Sequence, residues 1–157
     1  MPTLTIDVES RQVEAMLKIA PQKVRSRIIN TLLLGAIETQ RELRIAAPVG
    51  VTADLRKSVK YEVNEGDLSA KIGPTAKYAD PIEFGSRPHW VSVAAGSPLR
   101  DWADAKGINP YAVQRSIAKK GTKAHPFVKP THTLMEPRIS RRFDTEFAKL
   151  SAELSRG

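Results

Sequence analysis

The 157-residue sequence predicts an α+β fold, in which a small antiparallel sheet of three or four strands packs against one long helix. Two periodicities lead to this prediction. Apolar residues alternate with polar ones in three short segments, which is typical of strands with one buried face. From Gln22 to Ala46 they recur every three or four residues, which is typical of an amphipathic helix. Because a chain of 157 residues supports one compact core, we expect a single domain over residues 1–157.

The three predicted strands are short. The first lies near the start of the chain, and the other two form a hairpin around the turn "EGD". Their alternating apolar residues are Leu4, Ile6 and Val8, then Val59, Tyr61 and Val63, then Leu68, Ala70 and Ile72.

The long helix has more apolar surface than one sheet can cover. Its main stripe consists of Val24, Ile28, Leu32, Thr39 and Leu43. Three further residues widen that stripe beyond one face, namely Leu33, Leu34 and Ile37. A helix that is apolar on two sides usually packs on two partners, so we expect these three residues to lie in a subunit interface.

Residues 97–121 predict an inserted helical arm. Ser97 and Asn109 are suitable N-caps, each is followed by a proline at the first helical position, and Gly107 and Gly121 are suitable stops. The arm has few large apolar residues, so we expect it to make contacts with partners. The residues expected to do so are Leu99, Trp102, Tyr111 and Ile117.

A C-terminal amphipathic helix is predicted after Pro137, because a proline is tolerated in the first turn of a helix and not in its interior. Its apolar stripe consists of Ile139, Phe143, Phe147, Leu150 and Leu154.

The chain is basic, with 25 Lys and Arg against 17 Asp and Glu and a formal charge of +8. Such a balance favours contact with nucleic acid, with an acidic protein or with an acidic membrane surface, and it does not choose among them. The residues most suited to this contact cluster at the C-terminal end of the arm and just after it: Arg115, Lys119, Lys120 and Lys123. A basic DNA-binding module is therefore one alternative function, although no recognition motif accompanies the charge.

No conventional catalytic or metal-binding motif is visible. Asp80 and Glu83 are three residues apart and share a helical face, so a small hydrolase using this pair is a second alternative. The three histidines, His89, His125 and His132, lack the spacing of a zinc motif, and there is no cysteine. We expect no enzyme activity, no metal and no cofactor. No apolar run is long enough to cross a bilayer, and no signal peptide is visible, so we expect no membrane partner.

Three motifs in order resemble a known family. They are "APVGVTADLRKSV" (47–59), "YADPIEFGS" (78–86) and "AHPFVKP" (124–130). Together they are similar to the minor tail, tail-completion or neck proteins of long-tailed bacteriophages, whose pattern contains Thr-Gly-x-Leu-Arg-x-Ser and Tyr-Ala-x-x-x-Glu-x-Gly-Thr. Two departures stand out: Thr52, Ala53 and Asp54 replace the usual Thr-Gly start, and Ser86 replaces the final threonine.

The resemblance implies a structural virion protein, made in the host cytoplasm and located in the neck or the head-proximal tail end. It implies a homo-oligomeric ring, a hexamer or a dodecamer, which contacts other junction and tail proteins and encloses a DNA channel.

The resemblance also implies a structural docking turn made of Tyr78, Ala79, Glu83, Phe84 and Gly85. Phe84 is expected to be a buried anchor, as are Pro126 and Phe127. The carboxylate of Glu83 is expected to hold a donor, either Arg56 or a backbone amide.

Overall fold

The computed structural model describes residues 1–8 and 11–156 and confirms the α+β class. Within these residues, three strands and seven helices follow one another along the chain. In order they are β1 (Leu4–Asp7), α1 (Arg11–Ile19), α2 (Pro21–Ala46), α3 (Asp54–Ser58), β2 (Val59–Asn64), β3 (Ser69–Pro74), α4 (Ala79–Phe84), α5 (Pro98–Lys106), α6 (Pro110–Lys120) and α7 (Val128–Ser155).

The sheet has the order β1-β3-β2, and both pairings are antiparallel. Leu4 pairs with Ile72 in one ladder, and Tyr61 pairs with the same Ile72 in the other. The central strand β3 is buried at five of its six positions, since it has a neighbour on each side. β1 and β2 are the two edges of the sheet.

The core lies between the sheet and the two long helices α2 and α7. The side chains of α2 that face it are fully buried and include Val24, Ile28, Leu32, Ala36 and Leu43. They recur at the helical spacing of three and four predicted from the sequence.

The predicted start of the last helix is wrong. α7 begins at Val128, and Pro137 lies in its interior. A proline there removes one backbone hydrogen bond and costs about 3 kcal/mol. The helix continues through it because Val128, Met135, Ile139 and Phe143 are all buried along the α2 side.

The helices α5 and α6 form the arm, and their caps follow the predicted pattern. The side chain of Ser97 accepts a hydrogen bond from the Arg100 amide, and that of Asn109 accepts one from the Tyr111 amide. Ala103 is the buried residue of this helix pair, and it is separate from the main core. None of the described helices combines the length and the apolar character needed to cross a membrane.

Candidate assembly site

The carboxylate of Glu83 caps the N-terminus of α7. One oxygen, Oε2, accepts hydrogen bonds from the amides of Phe127 at 2.7 Å and Val128 at 2.9 Å, and Oε1 accepts one from the amide of Lys129 at 3.0 Å. These amides belong to the first turn of a helix, where no intrahelical acceptor exists. The side chain is only 3% exposed. No described cation forms an ion pair with this buried carboxylate, which is stabilised by three N–H groups and by the positive end of the helix dipole.

The short helix α4 aims Glu83 at this position. Ala79 and Glu83 are four residues apart, so they lie on the same face, and both are buried. Phe84 follows by one residue, which turns it about 100° away from that face. It is 70% exposed, so the prediction that Phe84 is a buried anchor is wrong.

The other predicted anchor residues have different positions. Phe127 is among the largest fully buried side chains, at the N-cap of α7, whereas Pro126 is exposed. Tyr78 is half-exposed at the N-cap of α4, and partial burial together with the nearby charge of Asp54 raises the pKa of its hydroxyl.

Two glycines close the base of the arm. Ser86 and Thr122 exchange backbone hydrogen bonds of 3.1 Å in both directions, and their hydroxyls lie 2.8 Å apart. Gly85 and Gly121 flank this bridge and both have positive φ, +76° and +74°. A Cβ on Gly85 would lie 2.6 Å from the carbonyl oxygen of Thr122. Only glycine fits such a turn, because it has neither the φ restriction nor the side chain of other residues.

Arg56 does not bind Glu83, so that predicted pairing is wrong. Its guanidinium donates instead to the carbonyl oxygens of Ala47 at 3.1 Å and Ile45 at 3.2 Å. These carbonyls lie at the C-terminus of α2, where a cation is favourable. The second expectation for Glu83, a backbone amide donor, corresponds to the three bonds described above.

Leu33, Leu34 and Ile37 are exposed on the side of α2 that faces away from the sheet. Ile45, which sequence reasoning missed, continues this surface at the spacing i, i+8 from Ile37 and is also exposed. We call these four residues the α2 stripe. Beside it lies a shallow groove formed by Ile37, Gln40, Arg41, Arg44, Ile45, Arg56 and Lys57. The overlap of apolar and basic residues suits an interface with a partly acidic partner.

The predicted arm residues divide into two sets. Leu99, Trp102 and Ile117 are half-buried in a shallow groove that also includes Tyr78 and Ile82, so they hold the arm against α4. Tyr111 is exposed at the far end of the arm.

The four basic residues at the C-terminal end of the arm and just after it are all exposed, namely Arg115, Lys119, Lys120 and Lys123. Lys119 and Lys120 lie in the last turn of α6, where the helix dipole favours cations. None of the four forms an ion pair with a described acidic residue.

The geometry gives Asp80 and Glu83 separate surroundings. Both oxygens of Glu83 are engaged by backbone amides, whereas an oxygen of Asp80 lies 3.5 Å from the amino group of Met1. No proton-transfer pair is formed. Across residues 1–8 and 11–156, no cluster of three potential metal ligands is found.

Residues 10–85 match the model of the HK97-gp10-like family, described as "Bacteriophage HK97-gp10, putative tail-component". The matched segment is just under half of the chain and includes α2, the hairpin and α4; the arm and α7 follow it. The resemblance to a family of phage tail and neck proteins is thereby confirmed over these residues. Neither the curated proteins nor the solved structures yielded a match.

Proposed function

We propose, from the match of residues 10–85 to the HK97-gp10-like family of phage tail components, that this chain is a structural tail subunit that works as part of a ring. The ring, a hexamer or a dodecamer, lies at the head-proximal end of the tail and helps to join tail and head. The protein acts there by its contacts with other subunits and with neighbouring junction proteins.

The α2 stripe is the observation that carries the ring proposal. Leu33, Leu34, Ile37 and Ile45 lie in the family-matched segment, and all four are exposed in the isolated protomer. Exposed apolar residues that lie together on one side of a helix favour a protein interface, whereas scattered ones need no explanation. A second copy that covers this stripe would remove it from water.

The fold supplies a rigid support for that interface. α2 is held on its other side by the sheet and by α7, and α7 is held in turn by the Glu83 cap and the Arg27 ion pairs to Glu146 and Glu153, both at 3.1 Å. A pre-organised face loses little conformational freedom when it binds.

The experiment measures assembly with the interface charged. Leu34→Glu and Ile37→Glu together should convert rings into monomers, because an unpaired buried ion costs several kcal/mol. The readouts are mass photometry and negative-stain electron microscopy, with circular dichroism as a check of folding. Leu134→Glu on α7 is the matched control, since Leu134 is 45% exposed and Ile37 is 44% exposed. Wild-type protein that remains monomeric at all concentrations would contradict the ring.

Contact with DNA is a second candidate role, supported by Arg115, Lys119, Lys120 and Lys123, which are exposed and form no ion pair with a described acidic residue. Non-specific binding to duplex DNA through these residues should weaken steeply with salt. The double variant Lys119→Glu/Lys120→Glu should lower both the affinity and the salt slope in fluorescence anisotropy. An unchanged salt slope would assign the cations to an acidic protein partner instead.

A further inference from the structure

A groove runs along the outer edge of β1. Among the described strands β1 pairs only with β3, so one row of its backbone N–H and C=O groups points away from the sheet. The groove has a volume of about 330 Å³, and its other wall is α7. Its apolar floor includes Ile139, Phe143 and Phe147. An open strand edge beside an apolar floor is the surface to which an extended peptide adds as a further strand.

The rim of the groove is acidic, although the whole chain has a charge of +8. Asp7, Glu136 and Asp144 line it. No described residue donates to the carboxylates of Asp7 and Asp144, and Glu136 is approached by His132 at 3.8 Å. This rim therefore favours a basic partner.

A segment just before the arm of the same chain has the required chemistry. Residues 89–93, "HWVSV", belong to neither a helix nor a strand, and Trp90 is 71% exposed. His89 and Ser92 are exposed as well, whereas Val91 and Val93 are half-buried, so the exposure of the side chains alternates as in a strand from Trp90 to Val93. The carbonyl of Val91 accepts from the Gln114 side chain, and the carbonyl of Ser92 accepts from the Ser97 hydroxyl. Each of these carbonyls keeps a second lone pair for a neighbouring strand.

The charge of the region around this segment and the arm complements the rim. From Arg87 to Lys123 the chain has seven Lys and Arg residues and two Asp residues. Trp90 also has the character of an interface anchor, since exposed tryptophans contribute strongly when a partner buries them.

We infer that residues 89–93 of one copy add as a strand to the open edge of β1 in the next copy, with Trp90 on the apolar floor. Donor and acceptor surfaces differ, so the contact is head-to-tail, and repetition of such a contact closes a ring when the rotation permits. The inference rests on the proposed function, to which it adds the contact that links neighbouring subunits.

Disulfide trapping tests this contact directly, because the chain has no cysteine of its own. Thr5→Cys on β1 is combined in turn with His89→Cys, Trp90→Cys, Val91→Cys, Ser92→Cys or Val93→Cys, which samples every register. A disulfide requires Cα atoms about 4.4–6.8 Å apart. At least one pair should give a ladder of covalent multimers on a non-reducing gel. Thr5→Cys with Ser116→Cys, on an exposed position of α6, is the control and should give none.

The mass of the assembly before oxidation separates the two proposals. Rings that give no ladder with any of the five pairs would overturn this inference and leave the ring proposal standing. Protein that stays monomeric would overturn both.

A second variant removes the anchor without adding cysteine. Trp90→Ala should raise the protein concentration needed for half-assembly by about tenfold or more, as expected for a buried tryptophan at an interface. The high exposure of Trp90 in the protomer means that folding should be unaffected, which circular dichroism checks. Normal assembly combined with weaker binding to duplex DNA would identify the segment as a nucleic-acid contact and overturn the inference.

Discussion

The contact between α4 and the N-terminus of α7 depends on one residue, Glu83. Its carboxylate lies between two parts of the chain that are more than 40 residues apart, and it satisfies three amides of α7 at once. An ordinary N-cap residue lies next to its helix in sequence, whereas this one comes from another helix. The acid thereby fixes where α7 begins relative to α4.

Replacing Glu83 with glutamine should lower the free energy of unfolding by about 2–3 kcal/mol. The amide side chain has one acceptor oxygen instead of two, carries no charge, and points an NH₂ group at a backbone donor. Urea denaturation followed by circular dichroism measures the change. Glu62→Gln, at an exposed strand position, is the control and should change stability by less than about 0.5 kcal/mol. Equal stabilities of the two variants would contradict the capping role.

Ala53 lies where the resembling family has glycine, and it adopts a left-handed conformation with φ of +53°. This conformation costs an L-residue roughly 1–2 kcal/mol, whereas glycine adopts it freely. Ala53→Gly should therefore raise the free energy of unfolding by about 0.5–1 kcal/mol, after allowance for the greater entropy of glycine in the unfolded chain. Ala148→Gly, in the interior of α7, should instead lower it by about 1 kcal/mol. Thermal unfolding of both variants provides the comparison, and destabilisation by Ala53→Gly would contradict the explanation.

At the scale of elements, periodicity predicted the features that depend on the local sequence of one helix or strand. The strands, three of the four residues of the α2 stripe and the caps at Ser97 and Asn109 follow from local spacing and side-chain chemistry. The first ten residues of α7 could not be predicted in this way, because Pro137 is a local signal that stops a helix. Packing on α2 and the distant Glu83 cap override that signal. Phe84 was misassigned for a similar reason: its exposure depends on which face of α4 meets α7.

The contact between α2 and α7 should also respond to pH. A hydrogen bond from Lys149, followed by one from Arg27, lowers the pKa of Glu146 below its usual 4.5. The pKa of Glu153 is lowered as well, mainly by a hydrogen bond from Lys23. A carboxylate whose pKa is lower in the folded state adds stability above its unfolded pKa, and that stability is lost as pH falls through the folded value.

We therefore expect the double variant Glu146→Gln/Glu153→Gln to lose less stability than wild type between pH 6 and pH 3. The measurement is urea denaturation at each pH, with Glu62→Gln/Glu65→Gln as a matched control for the loss of two exposed carboxylates. If the control variant flattens the pH profile as much as the double variant, the ion pairs of α2 and α7 are not the cause.

At the scale of the whole molecule, the proposed assembly would explain why a small protein leaves apolar surface uncovered. The α2 stripe, the open edge of β1 and Trp90 are each exposed in the protomer, and each is suited to a neighbouring subunit. Sequence reasoning identified Leu33, Leu34 and Ile37, because surplus apolar residues on a helix are visible in its periodicity. It did not identify the groove beside β1, because that groove exists only when α7 lies along the strand.

The central claim is that this chain is a part of the tail, and the particle itself tests it most directly. The measurement is electron microscopy of lysates, with infectivity, from a phage that lacks this chain. We predict filled heads and separate tails that fail to join stably, or tails with a defective head-proximal end, while capsids form normally. Joined and infectious particles made without this chain would contradict the account.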